Sequence, residues 1–279
     1  MGANATDWRL SEPQPLYCTE DFITELFCRV DAAMAGVPRH PQAKLWPGEV
    51  VTLALLYALK GKGERAFYRW AHRDLRPLFP RLPDRTRLFR LFAVHRSWCQ
   101  RFLAGPTLFG VADSFGVEML NTLRLGRSAR QIPRRGKCGR RWIAGVKLGV
   151  VCNSRGEVCA WDADLAMAYD ADAFGHLIER YEGRMIVLAD CNFHKSPFHR
   201  KDDPDPPNLK VCPRGRWEQR RRVETVLSVL GGAACALKRV TERCWANLMA
   251  HLGAAVAAFN LLVGWFPDQP QLAVARFSL

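Results

Sequence analysis

The sequence predicts an α/β fold, a mixed sheet flanked by helices and preceded by an all-helical N-terminal region. Three observations carry this. From Thr19 to about Leu103 apolar residues recur at helical spacing. After Gly105-Pro106 the pattern changes to short apolar runs of strand character. The chain is 48% hydrophobic, with nine tryptophans and fifteen phenylalanines in 279 residues, enough to bury a sizeable core.

Taken in order, Phe22, Leu26 and Val30 form one helical stripe and Val51, Leu55 and Leu59 another. Prolines at 38, 41, 47, 77, 80 and 83 divide the region into three or four helices, the last opening near Asp84 or Thr86, either of which can cap it. That last helix combines Leu88, Leu91, Phe92 and Cys99 with Arg87, Arg90, Arg96 and Arg101, one side to pack and one to face solvent or phosphate. Strands are expected at Leu108 to Ala112, Trp142 to Cys152 and Val158 to Trp161, the last two joined as a hairpin by Asn153-Ser154-Arg155-Gly156. A helix from about Ala171 to Tyr181 leads to an apolar strand, Met185 to Ala189, that ends in Asp190. A polar, proline-rich loop over His194 to Asn208 precedes a short strand at Leu209 to Cys212. Arg216 to Leu230 reads as an amphipathic helix through Val223, Val226, Leu227 and Leu230, with Gly231-Gly232 expected to end it. The expected organisation is a helical DNA-binding or accessory region at 1–105, a catalytic domain at 106–268 and a tail at 269–279.

The balance of 41 Lys and Arg against 27 Asp and Glu leaves a formal charge of +14, which favours a polyanionic partner, nucleic acid first. Ten cysteines stand without a CxxC pair, so buried free thiols of a reducing cytosol are expected in place of disulfides or structural zinc. No secretory signal is expected at the start, where Asp7, Arg9 and Glu12 interrupt the apolar positions. Cys244 to Phe266 holds no charged residue and is long enough to span a bilayer. Asn247, His251, Asn260 and many small residues make a buried core helix the better reading. No Walker loop, dinucleotide fingerprint or Gly-x-Ser-x-Gly elbow is present.

Three carboxylates stand out. Asp113 follows one apolar run and Asp190 another, and a charge at the end of a buried strand is costly unless it is used or paired. If the two strands are parallel neighbours, both carboxylates emerge at one edge of the sheet. Glu224 lies beside the apolar stripe of its helix, which would carry it toward the same edge. Convergent carboxylates of this kind hold hard divalent cations such as Mg²⁺. Taken singly, the aspartates also suit turns or caps, and Glu224 a surface pair with Arg220.

Several motifs in the same order bear on this arrangement: Val111-Ala112-Asp113-Ser114-Phe115, Gly145-Val146-Lys147-Leu148, Leu188-Ala189-Asp190 and Arg220 to Glu224. Across Leu108 to Trp265 the chain resembles the DDE transposases of bacterial insertion sequences. These motifs look like that family's first-aspartate strand, Gly-x-Lys-Leu hairpin, second-aspartate strand and Arg-x-x-x-Glu helix. Asp170 falls where such proteins often carry an aspartate that is not a ligand.

The resemblance implies an RNase H-like catalytic domain with Asp113, Asp190 and Glu224 as catalytic ligands of two Mg²⁺ ions, for which Mn²⁺ substitutes. It implies cleavage of double-stranded DNA at terminal inverted repeats, strand transfer into target DNA, a homodimer in the synaptic complex and a cytoplasmic, nucleoid-associated bacterial setting. The chain departs from the family pattern in two places. Cys191, Asn192 and Phe193 follow the second aspartate in place of x-Gly-Tyr. The signature around the helix survives as Trp217, Arg220 and Glu224, but its lysine position is Gly231, with Lys238 the nearest replacement.

Basic residues are expected to bind DNA in two groups. Arg124, Arg127, Arg130, Arg134, Arg135, Lys137, Arg140 and Arg141 form an acid-free stretch, read as a loop between the first-aspartate strand and the hairpin. Arg214, Arg216, Arg220, Arg221 and Arg222 surround the helix of Glu224, where Trp217 adds an aromatic face for stacking and Lys238 is the replacement for the missing lysine contact. His194 and His199 near Cys191 match no zinc spacing, and Asp162, Asp164, Asp170 and Asp172 read as strand-end and helix-cap residues. Two other readings stand beside the transposase, a nuclease of the same fold without strand transfer and a non-catalytic DNA-binding derivative.

Overall fold

The computed structural model describes residues 19–128, 131–139, 141–195, 203–212, 218–233 and 235–265, with the backbone alone at 218–222 and 233. Four helices come first: α1 (Thr19–Ala33), α2 (Pro47–Lys60), α3 (Glu64–Asp74) and α4 (Arg85–Val94), followed by a 3-10 turn at Arg96–Phe102. The helical stripes are the buried ones, Phe22, Leu26 and Val30 on α1 and Val51, Leu55 and Leu59 on α2. Asp84 caps α4 by accepting from the Arg87 backbone N–H, which satisfies one of the otherwise unpaired donors of the first turn.

Six strands then form one mixed sheet: β1 (Phe109–Leu120), β2 (Arg134–Cys138), β3 (Arg141–Asn153), β4 (Val158–Leu165), β5 (Ile186–Ala189) and β6 (Leu209–Val211). Their order is β2-β3-β1-β5-β6, and β4 also pairs with β3. β1, β5 and β6 are mutually parallel, whereas β3 is antiparallel to β1, β2 and β4. The β3–β4 hairpin turns where the sequence predicts, with Gly156 at φ +83°.

Two of these strands depart from expectation. β1 does not stop at Ala112 but continues to Leu120, because β3 pairs with it over almost its whole length and the apolar alternation resumes at Phe115, Val117 and Met119. Asp113 therefore sits within a strand and not at its end. Arg134 to Cys138, expected as part of a loop, is an edge strand held on β3 by backbone pairing. Its side chains carry no apolar signal, and basic residues are a common way of protecting an exposed edge.

The sheet has two covered faces. On one lies α5 (Asp170–Glu179), whose Phe174 comes so close to β3 that a side-chain carbon at Gly149 would stand 2.4 Å from its ring. On the other lie α6 (Glu218–Ser228) and α7 (Trp245–Trp265). α6 runs into a π-helical turn at Val229–Ala233, so Gly231 and Gly232 lie inside a helical turn where an end was expected.

α7 is long and apolar enough to cross a membrane, yet 78% of its most apolar window is buried inside the protein, against α2, α4, the Arg96–Phe102 turn and β4. Each polar residue that interrupts it has a partner. Asn260 accepts from the Val158 N–H and donates to the Val158 and Phe102 carbonyls, each at 2.8 Å. Asn247 donates to Glu64 at 3.2 Å. His251 binds Glu242, which also accepts from the Tyr57 hydroxyl at 2.8 Å. The described cysteines are all free thiols, and burial pushes Cys99 and Cys235 up to about 12.

Candidate functional site

The site is set by the register of two parallel strands. Phe109 pairs with Ile186, Gly110 with Val187 and Val111 with Leu188. Continued two residues, the same register sets Asp113 opposite Asp190. β5 ends one residue short of Asp190, so β1 runs on alone at that edge until Glu118, which bridges to Arg239. The two aspartates line a small cleft with Val111, Leu188 and Cys212 among its walls.

Side-chain alternation decides which face they occupy. Ala112 packs with Val151 and Phe174 on the α5 side, while Val111, Phe115 and Val117 join the core on the α6 and α7 side. Asp113 and Asp190 share the second face. Both are half-buried: Asp113 accepts from the Ser114 N–H at 2.8 Å, and Asp190 from both the backbone and the side-chain nitrogen of Asn192 at 2.9 Å. Asn192, one of the residues by which the chain departs from the family pattern, thus holds the second aspartate.

α6 packs over the same face, and Val223 lines an adjoining pocket with Val111 and Leu188. Glu224 is exposed on the flank of this helix and is not among the residues of the aspartate cleft. Among the described residues no three His, Cys, Asp or Glu side chains stand close enough to hold a metal ion together. The structure thus brings Asp113 and Asp190 to one cleft, and Glu224 is not among the residues that line it. Two half-buried carboxylates at one edge are an all-oxygen donor set, which suits a hard divalent cation.

Lys238 packs against Gly231. Its N–H donates to the Gly231 carbonyl at 2.9 Å, and a side-chain carbon at Gly231 would lie 3.4 Å from its Cγ and 3.7 Å from Phe115. Phe115 is two residues beyond Asp113 on the same face. The lysine therefore comes near the face that bears Asp113 from a different point in the chain, with its carbonyl accepting from the Glu118 N–H five residues along β1.

On the far side of the sheet, Lys147 donates to Asp170 and to the Ala168 carbonyl, both at 2.8 Å. Asp170 also accepts from the Ser114 hydroxyl at 3.0 Å. The ion pair is nearly enclosed, with side chains 12% and 8% exposed. It anchors the residue after Asp113 and holds the start of α5 to β3. Sequence reasoning took Asp170 for a cap. The available signal was Lys147, a cation within an apolar run that has to find a partner. Asp162 and Asp164 lie within β4 and not at a strand end, because β4 continues to Leu165, and Asp162 meets His176 at 3.2 Å.

Of the expected DNA-binding residues, Arg124, Arg127, Arg134, Arg135, Lys137, Arg141 and Lys238 are exposed. Arg135 and Lys137 alternate onto the face that bears Asp113, and Arg135 lies over Trp142 at 4.9 Å. Their pairing with Ala144 and Trp142, against Val150 for Asp113, sets them at least six residues along the sheet, roughly 20 Å away. Arg130, Arg140, Arg214, Arg216 and Trp217 lie outside the described residues, as does His199, and of Arg220, Arg221 and Arg222 only the backbone is described. His194 pairs with Asp205 at 2.6 Å.

No protein-family model, no curated protein and no solved structure matches this chain.

Proposed function

We propose that this chain is a DDE transposase with an RNase H-like catalytic domain, which cuts DNA at the ends of an insertion sequence and joins the freed 3′-hydroxyls to target DNA. The observation that carries the reading is the β1–β5 register, which sets Asp113 opposite Asp190 on the face covered by the helix of Glu224.

Asp113 and Asp190 would hold Mg²⁺ or Mn²⁺, with Glu224 as the third ligand. A pair of such ions, when bound, neutralises charge on the phosphodiester and activates the attacking oxygen. The chain's own residues do the positioning. Asn192 fixes the Asp190 carboxylate, and the Lys147–Asp170 pair fixes Ser114 and with it the backbone of Asp113. Lys238 meets phosphate near the face that bears Asp113, and Arg135 and Lys137 meet it farther along that face. Hydrolysis frees a 3′-hydroxyl, and attack of that hydroxyl on target DNA exchanges one phosphodiester for another without a covalent protein–DNA bond. Pairing of two element ends calls for a homodimer.

The test is cleavage and joining of the DNA that flanks the gene, in Mg²⁺ or Mn²⁺, by wild type and Asp190→Ala. Cutting and joining by wild type alone supports the transposase, and cutting without joined products supports a nuclease. The position of Glu224 outside the aspartate cleft favours a second reading, a non-catalytic DNA-binding derivative. Tight binding with no metal-dependent cutting in either protein would establish it.

A further inference from the structure

Away from the carboxylates, an open groove of about 690 Å³ runs between the start of α3, the start of α4 and the segment that leads into α7. Arg65, Arg69, Arg85 and Arg243 line it. None of the four guanidinium groups has an ion pair or a side-chain hydrogen bond among the described residues. The acid in the groove, Glu64, accepts a hydrogen bond from Asn247. Four cations held apart on three elements around an open space suit an extended row of phosphates better than one small anion, which is best bound by donors converging on a point.

The chain ties this groove to the proposed catalytic face. The Lys238 carbonyl accepts from the Glu118 N–H on β1, Val240 donates to the Glu118 carbonyl, and Thr241 and Arg243 are already in the groove. Five residue steps separate Lys238 from Arg243, a span of at most about 18 Å. At 3.4 Å per base pair, that is at most about five base pairs of B-form DNA.

We infer that this arginine groove binds the phosphodiester backbone of duplex DNA, at most about five base pairs from the point where the same duplex meets Lys238. The groove and its four arginines belong to neither basic group found in the sequence. The placement along the duplex rests on the transposase reading, whereas the binding itself does not require catalysis.

The experiment measures binding of a 30-base-pair duplex by the full chain in EDTA, by fluorescence anisotropy across a salt series. Wild type is compared with Arg65→Gln/Arg69→Gln/Arg243→Gln, in which the three exposed residues are neutralised. At about 0.9 per phosphate contact, the slope of log K against log salt becomes shallower by about 2.7 in the triple variant. Arg180→Gln, an exposed arginine at the end of α5 on the other face of the sheet, keeps the wild-type slope. Replacing NaCl by sodium phosphate at equal sodium concentration leaves affinity unchanged. An unchanged slope in a triple variant that melts like wild type, or specific displacement of DNA by inorganic phosphate, would overturn the inference. Failure of the transposase reading shows elsewhere, as cutting that survives Asp113→Asn or never occurs, with the salt slopes still distinct.

Discussion

Replacing Lys147 with Met leaves the Asp170 carboxylate, 8% exposed, without its cation and with the Ser114 hydroxyl as its remaining side-chain donor among the described residues. Removing one partner of a buried ion pair costs about 3–5 kcal/mol, because the other charge stays desolvated and uncompensated. For a chain of this size about 2 °C of melting temperature is lost per kcal/mol, so Lys147→Met should melt about 6–10 °C below wild type. The double variant Lys147→Met/Asp170→Asn removes the stranded charge and keeps the carboxamide within reach of Ser114. It should recover at least half of that loss. Differential scanning calorimetry at neutral pH measures all three proteins. A single variant within 1–2 °C of wild type, or a double variant no better than the single, would refute the claim that this pair holds α5 to the sheet beneath Asp113.

Other outcomes follow from the same geometry. Asp190→Asn should abolish metal-dependent cleavage while leaving DNA affinity in EDTA near wild type; equal loss of both activities would count against the metal role. Gly145→Ala places a side-chain carbon 1.9 Å from the Val117 carbonyl at the β-bulge of β1, so it should cost 1–3 kcal/mol or more, read as a lower urea midpoint. Glu242 links pH to stability. Burial alone would raise its carboxyl, but the charge and hydrogen bond of His251 and the Tyr57 hydroxyl outweigh that and leave it below its ordinary value of 4.5. A depressed carboxyl contributes stability that is present above the unfolded value and lost as pH falls through the folded one. Wild type should therefore lose melting temperature more steeply below about pH 4.5 than Glu242→Gln, and parallel curves from pH 7 to pH 3 would dismiss the link. Asn260→Leu strands the Val158 N–H, for a cost of about 1–3 kcal/mol by the same melts.

What one sequence could determine here was whatever depends on neighbours along the chain. Helical stripes such as Phe22, Leu26 and Val30, the Asp84 cap, the Asn153–Gly156 turn and the buried character of α7 all follow from local periodicity and local hydrogen bonding. Asp113 and Asp190 could be singled out in the same way, as charges beside apolar runs. That they face one another is a matter of register between strands 77 residues apart, and register follows from pairing that no local pattern encodes. β2 escaped notice because an edge strand held by its backbone needs no apolar side chains. The same reason hid the Lys147–Asp170 pair, the placement of Lys238 over Gly231 and the arginine groove, each of which joins residues from separate elements. The tertiary structure also decided against an easy inference. A helix stripe can bring Glu224 to the correct face, but only the packed position of α6 determines how near it comes, and here that leaves it outside the aspartate cleft.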